Sequence, residues 1–143
     1  MMIHVCPHCL SLNRVPEGRQ LDAAKCGQCK QPLLVGRPIE VDGAGLARFI
    51  EKHEGPVVVD FWAPWCGPCR TFAPTFAQAA ARFEASARFL KLNTEAAQDA
   101  AQRFSIRSIP TLAVFRGGRE VARVAGALPG AQFEQWLRQS LAG

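Results

Sequence analysis

The six cysteines of this 143-residue chain form three Cys-x-x-Cys pairs, and this pattern constrains the fold more than any other feature of the sequence. The first two pairs are Cys6/Cys9 and Cys26/Cys29, and the sixteen residues between them match the spacing of a structural zinc ribbon. Their segment, up to about residue 35, contains no Phe, Trp or Tyr. A segment so short and so poor in large apolar side chains does not fold without a crosslink or a metal.

Four thiolates complete a tetrahedral coordination sphere, so the first four cysteines predict one structural zinc ion whose binding energy folds the segment. An iron–sulfur cluster would use the same four residues and is the less favoured interpretation. Two functional alternatives remain open for the segment: docking of a partner, or sensing of oxidants through its thiolates. His8 lies inside the first pair but is a poor fourth ligand, because four sulfurs already satisfy the ion. His4 and His53 have no neighbours in the sequence that suggest a role.

Composition and charge narrow the class of protein. The net charge is +5, but the basic residues are scattered with no run of five, so we expect a solvated surface and no nucleic-acid partner. No apolar stretch approaches the roughly 20 residues of a membrane span, and no signal-peptide core follows the N-terminus. We therefore expect a cytoplasmic protein with no membrane association. In a reducing compartment, cysteines serve metal binding or catalysis more often than structural disulfides.

After about residue 35, strand-like and helix-like segments alternate, which predicts a four-cysteine domain over 1–35 and an α/β domain over 36–143. The second domain is predicted to have the order β-α-β-α-β-β-α, with a mixed sheet that is parallel first and antiparallel at its end. Thr94 is the expected N-cap of the second helix, whose apolar face would hold Ala96, Ala97, Ala100, Ala101 and Phe104. The predicted segments are strand 56–62, helix 66–83, strand 87–93, strands 111–115 and 120–125 joined through Gly117-Gly118, and a last helix with Phe133, Trp136, Leu137 and Leu141 on one face.

The third pair, Cys66 and Cys69, lies in a different setting, directly after a buried strand and at the start of a helix. A helix N-terminus offers free N–H groups and partial positive charge, which stabilise a thiolate at Cys66. Pro68 suits the first helical turn, where a missing N–H costs nothing. Cys69 then lies close enough to resolve a mixed disulfide. This pair predicts a thiol–disulfide oxidoreductase.

The segment Phe61-Trp62-Ala63-Pro64-Trp65-Cys66-Gly67-Pro68-Cys69 resembles the active-site signature of the thioredoxin family. The likeness covers residues from about 37 to 143. With the four-cysteine extension, the whole chain resembles the zinc-binding bacterial members of that family, the thioredoxin 2 type. It implies a thioredoxin fold, a mixed central sheet flanked by helices, with a small zinc-ribbon-like domain before it. Further matching positions in the family's order are Asp60, Pro74, Lys91, Ile109-Pro110-Thr111 and Gly126.

The resemblance implies roles for the residues of the motif. Cys66 would attack the substrate disulfide and Cys69 would resolve the intermediate. Asp60 would act as general base for Cys69, helped by Lys91. Burial in an apolar strand should raise the pKa of Asp60, and the competing interpretation is an exposed Asp on an edge strand. The substrate-binding positions implied by the family are Trp65, Gly67, Pro68, Ile109, Pro110 and Gly126.

Three of these assignments carry alternatives. Pro110 is the expected cis-proline, in a loop that holds the substrate chain beside the cysteines. Gly126 suits either a close approach of substrate backbone or an ordinary turn. Trp65 is expected on the exposed substrate surface, whereas Trp62 is expected to pack in the core.

The family resemblance also implies partners. A general protein-disulfide reductase acts on disulfide-containing proteins and is recycled by an NADPH-dependent thioredoxin reductase, and the Gly67-Pro68 dipeptide favours this reducing role. We expect no bound flavin or NAD(P), because no glycine-rich phosphate-binding motif is present. We also expect the protein to be a monomer. The alternative is a partner-binding or redox-sensing zinc ribbon carried on a thioredoxin scaffold.

Overall fold

The computed structural model describes residues 2–17 and 20–142. The strands in these ranges are β1 Met2–Val5, β2 Leu12–Val15, β3 Ile39–Val41, β4 Val57–Trp62, β5 Arg88–Asn93, β6 Thr111–Arg116 and β7 Arg119–Ala125. The α-helices are α1 Gly43–Lys52, α2 Gly67–Phe83, α3 Gln98–Arg103 and α4 Gly130–Leu141, and a 3-10 turn spans Leu21–Ala23. None of the helices in the described ranges is long and apolar enough to cross a membrane.

The central sheet has five strands in the order β3-β5-β4-β6-β7. β5 pairs in parallel with β3 and β4, while β6 is antiparallel to both β4 and β7. This confirms the predicted mixed sheet. The β6–β7 turn is made by Gly117 and Gly118, whose φ angles of 62° and 82° suit glycine in a tight hairpin.

Two layers of helices cover the sheet, and the alternation of β4 shows which side chains face each layer. Val57, Val59 and Phe61 pack in one core cluster with residues of α1 and α3, whereas Val58 packs in the other with residues of α2 and α4. Because side chains alternate along a strand, Asp60 faces the same side as Val58, toward α2. The sheet thereby places the Asp60 carboxyl group under the helix that carries Cys69.

The start of α3 corrects one prediction. The helix begins at Gln98 with Ala97 at its N-cap position, so neither Ala96 nor Ala97 is helical and Thr94 is not the cap. The Thr94 hydroxyl instead donates to the Trp62 carbonyl oxygen at 3.0 Å, which ties the end of β5 to the end of β4. The Thr94 side chain, which the local pattern predicted to cap a helix, therefore makes a tertiary contact instead.

The first strand and helix of the larger domain, β3 and α1, were not predicted. β3 has only three residues, too few for an alternation pattern to be visible. α1 did carry a readable signal, since Asp42 is its N-cap and accepts the Gly45 N–H at 2.7 Å.

The N-terminal segment (residues 2–17 and 20–35, called the ribbon below) packs on the larger domain through buried contacts. Val5 is fully buried and belongs to the core cluster on the α1 side of the sheet. Its N–H donates to Nδ1 of His53 at 3.2 Å. Ile3 and Glu54 exchange two bonds: the Glu54 N–H donates to the Ile3 carbonyl oxygen, and the Ile3 N–H donates to the Glu54 carboxylate.

A buried ion pair holds the other side of the ribbon. Arg88 and Glu84 are 3.1 Å apart, with side chains only 2% and 6% exposed. Glu84 also accepts the backbone N–H groups of Val35 and Gly36, each at 2.8 Å. Arg88 donates to the Leu33 carbonyl oxygen at 2.6 Å. The end of α2 and the start of β5 therefore anchor the chain where it leaves the ribbon.

Candidate active site and metal site

Cys66 is the N-cap residue of α2, and Cys69 lies in the first turn of that helix. The two sulfurs form a disulfide with Cα atoms 5.2 Å apart, and the Cys69 N–H points at the Cys66 sulfur at 3.1 Å. Both residues are almost fully buried, at 4% and 2% exposed. After reduction, that N–H and the positive end of α2 would stabilise a thiolate on Cys66.

Asp60 is completely buried in β4, which excludes the exposed edge-strand interpretation. Neither carboxylate oxygen has a hydrogen-bond partner among the described residues. Burial raises the pKa of Asp60 to about 7, and the positive charge of Lys91 opposes this increase. A carboxyl group that titrates near neutral pH is able both to accept and to release a proton at the pH of a cell.

Lys91 is the β5 neighbour of Asp60 in the parallel register. Its ammonium group lies 4.6 Å from the centre of the Trp62 ring, a cation–π distance. Trp62 is half-buried and packs in the small cluster that contains Cys66 and Cys69, with its indole N–H buried and unpartnered within the described chain. Trp62 therefore packs behind the active cysteines and outside the two main core clusters.

The loop before β6 also lies against the active cysteines. The Ile109–Pro110 peptide bond is cis, as predicted. The Ile109 carbonyl oxygen lies 3.8 Å from the Cys66 sulfur. Gly126 donates its N–H to the Pro110 carbonyl oxygen at 2.9 Å and has a φ of +106°, a conformation that side chains other than glycine rarely adopt. Gly126 is thus required by the backbone, and open space surrounds the position of a Cβ atom there.

The residues next to the two cysteines in the sequence are exposed. Trp65 is 68% exposed, the largest exposed fraction among the bulky apolar side chains of the described ranges. Gly67 and Pro68 are exposed as well, between the two buried cysteines. Exposed apolar residues therefore flank a reactive disulfide that lies just below the surface, where a macromolecular substrate can approach it.

Beside this surface lies a groove that sequence reasoning missed. Trp65 and Ile109 line its near end, while Gln98, Arg107 and Ser108 line the part farther from the cysteines. The groove residues come from the loop after β4, from the segment after β5, from α3 and from the loop before Pro110. The one sequence feature that could have indicated this groove is the position of Arg107, three residues before the expected cis-proline.

The four cysteines of the ribbon converge on one point, and every pair of their sulfurs lies within 4.8 Å. The Cys6–Cys29 and Cys9–Cys26 sulfurs are each 3.6 Å apart. Tetrahedral zinc with bonds of about 2.3 Å separates its sulfurs by about 3.8 Å, so the arrangement fits a four-thiolate zinc site.

The two halves of this site share the same backbone geometry. Leu10 donates its N–H to the Cys6 carbonyl oxygen, and Lys30 donates to that of Cys26, at 3.0 and 2.9 Å. Leu10 and Lys30 also share an unusual positive φ, 64° and 67°. The repeated turn presents N–H groups to sulfur, as when Gln28 donates to Cys26.

Those N–H groups oppose burial at both Cys6 and Cys26, but with different outcomes: burial prevails at Cys6 and raises its pKa to about 12, whereas the hydrogen bonds prevail at Cys26. Burial raises the pKa of Cys26, but hydrogen bonds from the backbone N–H groups of Cys29 and Gln28 and from the Asn13 side chain outweigh it, so that the pKa falls to about 6. This environment favours a thiolate at neutral pH, the form that binds a metal ion.

Of the histidines, His8 stays outside the cysteine cluster as expected, whereas His53 has a role that the sequence did not indicate. His8 is exposed and its Nε2 lies 3.1 Å from the Pro32 carbonyl oxygen, so it does not replace a cysteine in the cluster. His53 has a structural role, because it accepts the Val5 N–H and packs edge-to-face on His4 with ring centres 5.0 Å apart. Burial, followed by the charges of His4 and Arg88, lowers the pKa of His53 to about 3, which keeps its Nδ1 an acceptor.

The contacts that anchor the ribbon at Glu54, Glu84 and Arg88 lie at the end of the sheet opposite the Cys66–Cys69 disulfide. These three residues are at the amino ends of β4 and β5, whereas Cys66 follows the carboxyl end of β4. The six residues of β4 separate the two ends by about 20 Å. These anchors and the cysteine pair therefore lie at opposite ends of β4.

Comparison with known families matches both parts of the chain. The family model described as "Thioredoxin" matches residues 38–139, and the model described as "Thioredoxin 2, N-terminal", named for a zinc ribbon, matches residues 5–31. The predicted boundary near residue 35 lies between the two matches and stays a prediction.

Several curated proteins are similar to this chain. Thioredoxin C-3 of Corynebacterium nephridii is 44% identical over 140 residues, which cover 98% of this chain and 96% of that relative. Thioredoxin 1 of Nostoc sp. is 46% identical over 86 residues, 60% of this chain and 80% of the relative. Thioredoxin of Synechocystis sp. is 44% identical over 90 residues, 63% of this chain and 84% of the relative.

Proposed function

The chain belongs to the thioredoxin family, and from this premise we propose that it is a general protein-disulfide reductase recycled by an NADPH-dependent thioredoxin reductase. Thiol–disulfide oxidoreductase activity follows from family membership together with the Cys66–Cys69 pair. The single observation that carries the more specific proposal is the placement of this pair at a helix N-terminus, under an exposed apolar surface and beside a buried, titratable Asp60.

The proposed reaction begins with reduced protein. The Cys66 thiolate attacks one sulfur of a substrate disulfide, forms a mixed disulfide, and releases the other substrate sulfur as a thiolate. Cys69 loses its proton to the Asp60 carboxylate and attacks the Cys66 sulfur. The Cys66–Cys69 disulfide forms, and the substrate leaves with both of its sulfurs reduced. Two electrons pass from the protein to the substrate; one substrate thiolate takes up the proton that Asp60 accepted from Cys69, and the other takes up a proton from solvent.

Asp60 and Lys91 have complementary parts in this scheme. With a pKa of about 7, the Asp60 carboxyl group is partly ionised at neutral pH and able to accept the Cys69 proton. Lys91 lies beside it in the sheet and favours the ionised form. Asp60 faces α2, the helix that holds Cys69, which supports transfer between these two groups.

Substrate binding is proposed for the exposed surface around the cysteines. Trp65, Gly67 and Pro68 would contact the segment that carries the disulfide, and Ile109 would pair with its backbone as an added strand. The Ile109 carbonyl oxygen, directly before Pro110, lies toward the Cys66 sulfur and so marks where that strand would run. The required backbone conformation of Gly126 supports this loop and leaves open space beside it for a substrate chain.

The test uses reduction of an unrelated protein disulfide, such as that of insulin, by the full-length protein with NADPH and a thioredoxin reductase. Cys66→Ser should abolish turnover, and Cys69→Ser should accumulate a mixed disulfide between Cys66 and the substrate. Turnover by the Cys66→Ser variant at the normal rate would refute the proposal. Turnover with a chemical dithiol but none with the reductase would refute recycling alone.

We propose further that the ribbon binds one structural zinc ion through Cys6, Cys9, Cys26 and Cys29. The sulfur positions and the N–H groups directed at them support this ion. When bound, the ion would crosslink two turns of a segment that has little apolar core of its own. Metal analysis of protein purified without added zinc should find one equivalent, and iron in its place would contradict the assignment.

The protein would act as a cytoplasmic monomer.

A redox-sensing role of the ribbon is the second candidate, favoured by the exposure of Cys9 within the cluster. Peroxide titration with a zinc-responsive dye tests it. Zinc release that precedes loss of the fold would support sensing, and release only with unfolding would exclude it. A partner-docking role predicts that Cys26→Ser removes biological activity while Cys66→Ser leaves it intact.

A further inference from the structure

The groove beside the active disulfide carries one charged side chain among its described lining residues, Arg107. It encloses about 340 Å³ and runs from Trp65 and Ile109, next to the cysteines, to Gln98 and Arg107. None of the described residues that line it is a carboxylate. A substrate chain that leaves the reacting disulfide along this groove therefore meets an apolar end first and a positive charge next.

The Arg107 side chain is exposed, and it has no ion pair or hydrogen bond within the described chain. This distinguishes it from Arg123, which pairs with Glu120, and from Arg138, which pairs with Glu134. A guanidinium group presents several N–H donors in a plane that matches a carboxylate. Arg107 is thus available to a ligand without first losing an internal partner.

The segment that carries Arg107 is held at both ends. Arg123 donates to the carbonyl oxygens of Phe104 and Ser105, just before it. On the other side, the hydroxyl group of Thr111, the first residue of β6, donates to the Ser108 carbonyl oxygen at 2.6 Å. A charge on a fixed backbone loses less conformational entropy on binding than one on a mobile loop.

The distance to the reacting sulfur sets which substrate residue would meet Arg107. The Ile109 carbonyl oxygen is 3.8 Å from the Cys66 sulfur. Arg107 is two residues earlier, at most about 7 Å along an extended chain. A substrate strand that pairs beside Ile109 therefore places a residue within about three positions of its attacked cysteine near the Arg107 side chain.

Charges of both signs lie just outside the groove. Glu95 and Asp99 are on the far side of Gln98, where they line a separate depression. Arg70 is exposed directly after Cys69 and adds a second positive charge at the active-site surface. The lining of the groove itself is positive, but the two carboxylates beside it make the opposite preference the natural competing outcome.

We propose that Arg107 is a specificity-determining residue, which favours disulfide substrates that carry Asp or Glu within about three residues of the attacked cysteine. The inference rests on the proposed reductase function and adds a substrate preference to it. An exposed ion pair contributes a factor of about 1.5 to 5 in rate or affinity, so the preference is modest and depends on salt.

The test uses symmetric disulfide dimers of a short peptide with one cysteine, in which either sulfur gives the same reaction. A single Glu, Gln or Lys is placed at each of the positions flanking the cysteine. The second-order rate constant for oxidation of the reduced full-length protein is measured at low and high salt. We expect the Glu peptide to react about 1.5 to 5 times faster than the Gln peptide at one or more positions, and the difference to vanish at about 1 M salt.

The variants assign the preference to one residue. Arg107→Gln should bring the Glu/Gln ratio to about one, and Arg107→Glu should favour the Lys peptide. Arg119→Gln is the matched control, because Arg119 is exposed in the β6–β7 hairpin at the opposite end of the sheet, and it should keep the normal ratio.

An unmodified protein without a preference for the Glu peptide overturns the inference, and so does a preference that survives Arg107→Gln. Faster reaction of the Lys peptide would overturn it as well and assign the groove to Glu95 and Asp99. The Gln peptide separates this inference from the proposed function. A protein that reduces the Gln peptide but shows no charge preference remains a reductase, whereas one that reduces no peptide fails the proposed function.

Discussion

Replacing Asp60 with asparagine should increase the free energy of unfolding by an amount that grows with pH. The buried carboxyl group has a pKa of about 7 in the folded protein, against an ordinary value of 3.8. The folded state therefore binds a proton more tightly than the unfolded state. Stability is highest while the group is protonated in both states and falls as pH rises from about 4 to about 7.

The size of the effect follows from the two pKa values. One pKa unit corresponds to about 1.4 kcal/mol, so the raised pKa of Asp60 lowers the free energy of unfolding by about 4 kcal/mol above pH 7. Asp60→Asn removes the ionisation and keeps the shape and polarity of the protonated group. The variant should be as stable as the unmodified protein below about pH 4 and about 4 kcal/mol more stable at about pH 8.

The assay is guanidinium unfolding of the oxidised protein at a series of pH values from about 3 to about 8.5, which spans both pKa values. Asp99→Asn is the matched control, because Asp99 is an exposed Asp of the same domain, and it should change stability by less than about 0.5 kcal/mol at every pH. A constant difference between the Asp60→Asn variant and the unmodified protein across this range would refute the raised pKa. Lower stability of the variant at the alkaline end would show that the ionised carboxylate has a partner.

Three further predictions concern other parts of the molecule. Glu84→Gln should cost about 3–5 kcal/mol in the same unfolding assay, because it leaves the buried Arg88 charge without its counterion, and a cost below about 1 kcal/mol would contradict this. Cys26→Ser should lower bound zinc below one equivalent and increase hydrogen exchange in the ribbon, because metal binding is expected to fold this segment. A variant that retains one equivalent of zinc and normal protection from exchange would exclude the assigned ligands. Gly126→Ala should lower the free energy of unfolding by about 1–3 kcal/mol, because Gly126 has a positive φ. Gly130→Ala is the control: this glycine lies in open space at the start of α4, and its replacement should not change stability measurably. Equal effects of the two substitutions would exclude backbone strain as the cause.

The parts of the fold that could be predicted are those with a local cause. The run of β-branched residues in β4, the two glycines of the β6–β7 hairpin and the spacing of the cysteines each limit the backbone through neighbouring residues alone. The apolar residues on both sides of Asp60 likewise made burial the favoured prediction over an exposed edge-strand position, and the structure confirms it. The active-site pair was readable because Cys66 and Cys69 are close in sequence.

The features that were missed depend on contacts between distant residues. Glu84 accepts the N–H of Val35 across 49 positions, and His53 accepts that of Val5 across 48, so their roles exist only once the ribbon is docked. Thr94 looked like a helix cap because nothing local showed that the Trp62 carbonyl oxygen would be beside it. Arg107 became informative only when the groove around it was assembled from four separate segments of the chain.

The reduction potential of the Cys66–Cys69 pair, measured by equilibration with a reference dithiol, tests the proposed reductase function most directly. The reference points on this scale are about −270 mV for thioredoxin and about −180 mV for protein disulfide isomerase. A helix-capping cysteine with Gly67-Pro68 between the pair should give a value near the thioredoxin figure. A value near that of protein disulfide isomerase would contradict the reductase assignment and indicate an isomerase or an oxidant.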